Sequence, residues 1–183
     1  MDQIIHSIED KIKELDNNKK ILLFLGSGIE SFFLSLLLKK HFKNNLFCVL
    51  INTIHLDEKE IGEVMYQYYN SGIKNICINA RKYFYKYYIM KDGDNLDQDL
   101  TNKFNDIFNN YKVYIKEDID YFSFGFVKNN SFLKEKFFIK NKISFEPLID
   151  KENEDIIILY TKLGEDNGFF IKRKDYWSNL IGN

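Results

Sequence analysis

Residues Ile21 to Leu38 read ILLFLGSGIESFFLSLLL: an apolar strand, a tight polar turn Gly26-Ser27-Gly28-Ile29-Glu30-Ser31, and an apolar helix. A turn that ends a first strand and opens a helix is where α/β proteins bind phosphate, because unpaired amides and the positive end of the helix dipole converge on one spot. Gly26 and Gly28 allow close backbone approach, and Ser27 and Ser31 add hydroxyl donors. The stretch predicts a protein that handles a nucleotide.

On the amino-terminal side, Ile4, Ile5, Ile8, Ile12 and Leu15 form the stripe of an amphipathic helix that Asp16-Asn17-Asn18 ends. On the carboxyl side, the helix after the turn runs to about His41, and Leu46 to Ile51 (LFCVLI) reads as a buried parallel strand with Asn52-Thr53 at its end. Asp57 to Tyr69 suits a helix stopped by Ser71-Gly72, and Asn75 to Ile78 a third strand. The order βαβαβ implies a parallel sheet with right-handed crossovers. Further on, Arg81 to Met90 and Asp97 to Lys112 read as helices around a turn at Lys91-Asp92-Gly93-Asp94, and Ile119 to Val127 as a fourth strand ending near Gly125. A basic, aromatic connector, Lys128 to Lys142, leads to a short strand Ile143 to Phe145 and a helix from about Glu152 to Leu163 stopped by Gly164. No repeat or linker interrupts this pattern. Residues 1–183 are expected to form one Rossmann-like three-layer α/β/α domain of about five mainly parallel strands, with ligand in the crevice above the first two.

Composition narrows the function. A chain of 183 residues, 45% hydrophobic and 16% aromatic, is sized for one substantial core. Lys plus Arg number 26 against 27 Asp plus Glu, so no whole-molecule field steers the chain to nucleic acid. Cys48 and Cys77 lie in apolar strand-like runs and read as reduced core thiols. The amino terminus lacks the apolar segment of a signal peptide, and no run reaches membrane-spanning length; a cytoplasmic address is expected.

Two separated motifs carry a resemblance. FLGSGIES (Phe24 to Ser31) and FEPLIDKENEDIIILYTKLG (Phe145 to Gly164) resemble the two elements of the PP-loop family, the N-type ATP pyrophosphatases: a Ser-Gly-Gly-X-Asp-Ser turn after the first strand and a Pro-Leu element before a late helix. Ile21 to about Phe84 is similar to the ATP pyrophosphatase domain of GMP synthetases, while Pro147 to Asn179, with Asp175-Tyr176-Trp177-Ser178, looks more like 7-cyano-7-deazaguanine synthases. The resemblance implies an adenine nucleotide alpha hydrolase-like fold. It also implies ATP and Mg2+, with transfer of AMP to a carboxylate or carbonyl oxygen of a small molecule or nucleobase and release of pyrophosphate. Carried over by position, Gly26, Ser27, Gly28, Ile29 and Ser31 would hold the pyrophosphate. Glu30 would face the metal, and Glu30 and Ser31 would be the catalytic pair. Ile51, Asn52 and Thr53 would meet the adenosine, with Gly125 beside them.

The departures define an alternative. The family's first serine is Gly26 here, its second position gains a side chain at Ser27, Glu30 is one methylene longer than aspartate, and Asn153 stands where a lysine is common. The arginine-asparagine pair and the cysteine cluster of deazaguanine synthases are missing, the nearest pair being Asn102-Lys103. A catalytically weakened relative that binds a nucleotide or a protein partner is therefore the second reading. Two rival loops do not fit: a dinucleotide-binding turn expects glycine near Ser31 and an acid where Asn52 stands, and a Walker A loop needs Gly-Lys-Ser/Thr. His55 with Asp57, Glu58 and Glu60 reads as a polar loop and acidic first helical turn rather than a metal cluster. The Tyr83 to Tyr88 run and the 128–142 connector fit core packing with snorkelling lysines more cheaply than a single-stranded nucleic-acid groove. Trp177 is better read as core or interface than as a pocket wall. A tRNA partner, a homodimer and a partner protein stay open as alternatives, and no membrane partner is expected.

Overall fold

Strand β1 (Ile21–Leu25) is buried along its whole length and lies at the centre of a parallel sheet. In the computed structural model of the chain, the structure describes residues 2–53, 56–89, 96–126, 128 and 136–163. The sheet has the order β3-β2-β1-β4-β5, with β2 at Leu46–Asn52, β3 at Asn75–Asn79, β4 at Tyr121–Ser123 and β5 at Ile143–Ser144. Every pairing is parallel; Leu25 stands opposite Leu50, and Leu23 opposite Ser123. The chain moves from β1 outward to β3 and then returns past β1 to β4. The topology therefore reverses beside β1, at the carboxyl end where α/β sheets leave a crevice.

Helix α1 (Asp2–Lys13) precedes the sheet; α2 (Ile29–Phe42) and α3 (Glu58–Asn70) make the first two crossovers. Helix α2 is buried from Ile29 to Leu38 because IESFFLSLLL is apolar around most of its circumference, and both α1 and the last described helix, α7 (Asn153–Leu163), pack on it. Helix α3 starts on a capping box between Asp57 and Glu60, and its end is turned by Gly72 at φ +69°. The long return contains α4 (Arg81–Ile89), α5 (Leu96–Asn109) and the short α6 (Lys112–Ile115). Right-handed crossovers put α5 on the face of the sheet away from α2, giving three layers.

Rings fill the space between β1, β4 and α5. Phe24 lies 4.5 Å from Phe108 and stacks at 5.0 Å on Phe124; Phe137 meets Phe108 edge-on at 5.4 Å. Phe137 comes from the expected 128–142 connector, so the described part of that segment is anchored in the core. Cys48 is buried, Cys77 half-buried, and both are free thiols whose titration burial pushes up.

The parallel sheet, the central place of β1 beside β2 and the element order are as the sequence predicts. Two differences have a physical cause. The fourth strand stops at Ser123 rather than near Gly125, because the amides of Phe124 and Phe126 leave the ladder for the carboxylate of Glu146. The helix expected to reach Lys112 ends at Asn109, where the backbone tightens to i→i−3 bonds from Asn110 to Ile107 and from Tyr111 to Phe108, while the Asn109 side chain donates to the carbonyl of Phe138 and accepts from the amide of Lys140. The turn at 91–94, the Gly164 stop, Trp177 and the 175–178 segment lie outside the described residues.

Phe108 touches Phe24, Phe104, Phe124 and Phe137. Phe108→Ala is expected to cost about 3–5 kcal/mol through lost transfer energy and the cavity left behind. The measurement is a lower urea midpoint at unchanged slope.

Candidate nucleotide site at the end of the central strand

When β1 ends at Leu25, the next peptide still sits in the core, and its polar groups need partners. The amide of Gly26 donates to Ser31 Oγ at 2.9 Å. The Ser31 hydroxyl lies 3.0 Å from the Tyr68 hydroxyl, and Tyr68 in turn donates to the carbonyl of Gly26 at 3.1 Å. With Ser31 donating to Tyr68, the three bonds form a closed ring in which each donor is used once. Tyr68 reaches this place because Ile61, Val64 and Tyr68 share the buried face of α3, and its ring packs edge-on to Phe32 of α2.

The ring fixes where helix α2 begins. Gly28 is its N-cap, extended at φ −87° and ψ 163°, and as a glycine it offers the first turn no capping side chain. The turn therefore stands at the positive end of the dipole of a 14-residue helix, the end that favours an anion. Ser27 occupies the turn without strain, since positive φ among described non-glycine residues is confined to Lys43, Lys116 and Asn141. Glycine at 26 and 28 is not required by dihedral angle either; the positive-φ glycines are Gly72 and Gly125.

Gly125 backs directly onto the turn. It has φ +71°, and a Cβ there would lie 3.2 Å from the Cα of Ser31. Asn52 and Thr53 stand at the end of the adjacent strand β2, level by register with the start of the turn, and both are buried. The Asn52 carbonyl accepts from Ala80, which ties the ends of β2 and β3 together, while Asn52 Oδ1 is buried with no hydrogen-bond partner. An acceptor left so costs about 1–3 kcal/mol until a donor reaches it. Glu30 and Ser31 both lie in the first turn of α2, and Glu30 is 7% exposed. The residues singled out in sequence, Gly26 to Ser31, Ile51 to Thr53 and Gly125, therefore meet at one end of the sheet.

Their surroundings differ from expectation in one respect. The whole turn 26–31 is buried rather than open, and the Ser31 hydroxyl serves the loop itself. A cavity of 640 Å³ lies at the opposite end of the sheet, between Lys43, Leu46, Phe47, Ile73 and Asn75, and is remote from the turn. His55 is outside the described residues; among those described, no group of three or more His, Cys, Asp and Glu could hold a metal ion. Two residues of the neighbourhood escaped the sequence reading. Tyr68 carries no signal beyond its apolar helical phase, whereas Glu146 had one: a carboxylate set inside the apolar run Phe145 to Ile149. Glu146 accepts from the amides of Phe124 (2.8 Å) and Phe126 (3.1 Å) and from the Ser123 hydroxyl (3.2 Å).

No family model matches the chain. Curated relatives match in part. The chain is 40% identical over 67 residues to a GMP synthase (glutamine-hydrolysing) of Borrelia garinii, covering 35% of this chain and 13% of that protein. It is 30% identical over 125 residues to the GMP synthase of Borreliella burgdorferi strain B31, covering 66% of this chain and 24% of that one. The chain thus spans less than a quarter of the length of these relatives. Two solved structures share its fold. The U34-tRNA thiolase NcsA of Methanococcus maripaludis superposes with a TM-score of 0.64 at 17% identity, over 90% of this chain and 66% of that one. The NH3-dependent NAD synthetase of Campylobacter jejuni superposes with a TM-score of 0.61 at 16% identity, over 93% of this chain and 74% of that one. These partial GMP synthase relatives and the two structural neighbours all belong to the PP-loop ATP pyrophosphatase superfamily, which the chain resembles in part of its sequence and in its fold.

Proposed function

We propose that residues 1–183 form one ATP-binding domain that transfers AMP to the carboxylate or carbonyl oxygen of a small molecule or nucleobase. The observation that carries this reading is the amino terminus of α2, begun by Gly28 and held at the end of the central strand by the Gly26–Ser31–Tyr68 ring. The amides of Ser27, Gly28 and Ile29 hold the departing pyrophosphate. Their positions are fixed before the reaction, so they stabilise developing charge with little reorganisation. The acceptor oxygen attacks the α-phosphorus, the bond to the β-phosphate oxygen breaks, and the released pyrophosphate stays against the helix. Asn52 Oδ1 has the chemistry to accept from an amino or hydroxyl group of adenosine, with Ile51 and Thr53 beside it and Gly125 closing the turn.

The donor set suits magnesium, which takes carboxylate oxygen together with phosphate oxygens, and Glu30 is the carboxylate at that place. When bound, the metal supplies neutralisation of phosphate charge. On this reading Ser31 acts by holding the loop rather than by touching phosphate. GMP synthetase-like amidotransfer and 7-cyano-7-deazaguanine synthase-like chemistry are the two acceptor classes that the sequence favours. A cytoplasmic address belongs to the same proposal; among the described residues no helix is long and apolar enough to cross a membrane. A second reading, nucleotide binding without turnover, is favoured by Asn153, which puts a neutral residue at the start of α7.

Pure protein with labelled ATP, magnesium and candidate acceptors is expected to release AMP and pyrophosphate; binding without release supports the second reading, and no binding rejects both. ATP at a hundred times its Kd is expected to raise the melting temperature by roughly 5–10 °C. Gly28→Val combined with Ser31→Ala is expected to abolish that shift, one by blocking backbone approach and the other by opening the ring. Unchanged stabilisation would put the nucleotide elsewhere.

Glu30→Gln is expected to lower metal-dependent turnover by at least about tenfold while changing ATP affinity less, because it removes the charge and keeps the volume. Equal loss of both would remove Glu30 from the metal's side. Tyr68→Phe is expected to cost about 1–3 kcal/mol of stability, since the Gly26 carbonyl and the Ser31 hydroxyl lose a buried partner.

A further inference from the structure

Glu146 is 7% exposed and stands just before Pro147, yet nothing in the proposed chemistry uses it. Its described partners are all donors. The amides of Phe124 and Phe126 reach its two oxygens, and the Ser123 hydroxyl, which itself accepts from the amide of Gly125 at 3.3 Å, donates to the second. The carboxylate therefore gathers four consecutive residues, Ser123 to Phe126, into one tight loop after β4. At the apex of that loop, Gly125 lies so close to Ser31 that even a methyl group would press on the Ser31 backbone. The lysines and acids of the same region are engaged with one another: Lys11 of α1 reaches Asp150 and the carbonyl of Pro147, Lys151 also pairs with Asp150, and Lys128 pairs with Glu152.

We propose that Glu146 is a positioning residue for the phosphate loop: by gathering the amides after β4 it seats Gly125 against Ser31 and so fixes the turn Gly26 to Ser31. The inference rests on reading that turn as the nucleotide site. It gives the Pro-Leu element a mechanical part, transmitted from Glu146 through residues 124–126 to Ser31.

The ionisation state matters because the loop offers only donors. An ionised carboxylate accepts from all of them; a protonated one turns a hydrogen toward a donor and gives up an acceptor site. Burial, the largest cause, pushes the Glu146 carboxyl up to about 7, while the loop's hydrogen bonds pull the other way. Two opposite pH trends follow. The folded value lies above the ordinary carboxyl value of 4.5, so the group's contribution to stability is full below about 4.5 and is lost as pH rises through about 7. Nucleotide affinity runs the other way and falls as pH drops through the same point. A purely structural role would make the two move together.

The test combines amide NMR with ATP titrations on wild type, Glu146→Gln and Gly125→Ala. In wild type without nucleotide, the amides of Phe124 and Phe126 and those of Ser27 to Ser31 are expected to shift with one common midpoint near pH 7, and in Glu146→Gln this transition disappears. Magnesium-ATP affinity is expected to be on the order of tenfold weaker at pH 6 than at pH 8, the weight of one hydrogen bond to a charged group. Glu146→Gln is expected to be weak and to lose this difference; any slope it keeps is the phosphates' own titration. Gly125→Ala leaves the carboxylate alone and is expected to weaken ATP while keeping the midpoint, which carries the test if Glu146→Gln does not fold. A turn that fails to titrate with residues 124 and 126, or wild-type ATP affinity at both pH values in Glu146→Gln, overturns the proposal. Coupled NMR shifts without ATP binding support the linkage and overturn the nucleotide reading instead.

Discussion

A strand buried on both faces cannot leave its last peptide to water, and the peptide of Gly26 is where this chain meets that constraint. Extending the ladder would have carried the chain straight on. Here the amide and the carbonyl of Gly26 are satisfied from opposite directions, by Ser31 five residues ahead and by Tyr68 on another helix. Ser31 can reach back only if the chain turns at once, which places the amino terminus of α2 over the end of β1. Tyr68 can reach in only if α3 lies beside α2, as the crossover from β2 to β3 requires. The placement of the turn is thus a by-product of satisfying one buried peptide.

The same problem recurs on the other side of the topological switch point, at the end of β4, with a different solution. There the amides after Ser123 turn to a carboxylate, and the strand ends at the fifth residue of the predicted run. A carboxylate accepts several bonds at one point, so it can draw the chain into a tight loop with a left-handed glycine at its tip. Phe124 and Phe126, on either side of Gly125, stack on one another at 5.1 Å, and Phe124 also stacks on Phe24. The rings anchor the loop in the core while the amides point to Glu146. Both ends of the switch point are therefore held by side chains, one uncharged and one titratable.

What could be read in the sequence follows the range of the interactions. Strands β1 to β3 and helices α1 to α3 were legible because each declares itself locally: an apolar run, an apolar period of three to four, an acidic first turn after Asp57, a stop at Ser71-Gly72. The meeting of Gly26 to Ser31 with Asn52 and Gly125 was legible once parallel order was assumed, since it needs only strand ends at one edge. The partners of those residues were not. Tyr68 is 42 positions from Gly26, and in sequence it is one more apolar residue on α3. IDYFSFGFV reads as a long strand because alternation and aromatic content favour one, and nothing local shows that Glu146, 22 residues beyond Phe124, takes the amides away.

The departures of the turn from the family pattern divide along the same physical line. Those that concern backbone geometry are harmless here: Ser27 has no positive φ, and the Gly26 peptide is held through its backbone, so neither substitution strains the loop. Those that concern charge remain. Glu30 carries its carboxylate on a longer arm in a buried place, and the chain has Asn153 where the resemblance leads one to expect a lysine. On the nucleotide reading, fixed amides hold phosphate in the ground state and the transition state alike, whereas cations and metal ligands act most on the charge that grows as pyrophosphate leaves. A chain that keeps the first set and alters the second retains binding more readily than rate. On the proposed reading, the choice between a working enzyme and a binding module turns on the carboxylate of Glu30 and on the neutral residue at 153, while the geometry of the turn serves either.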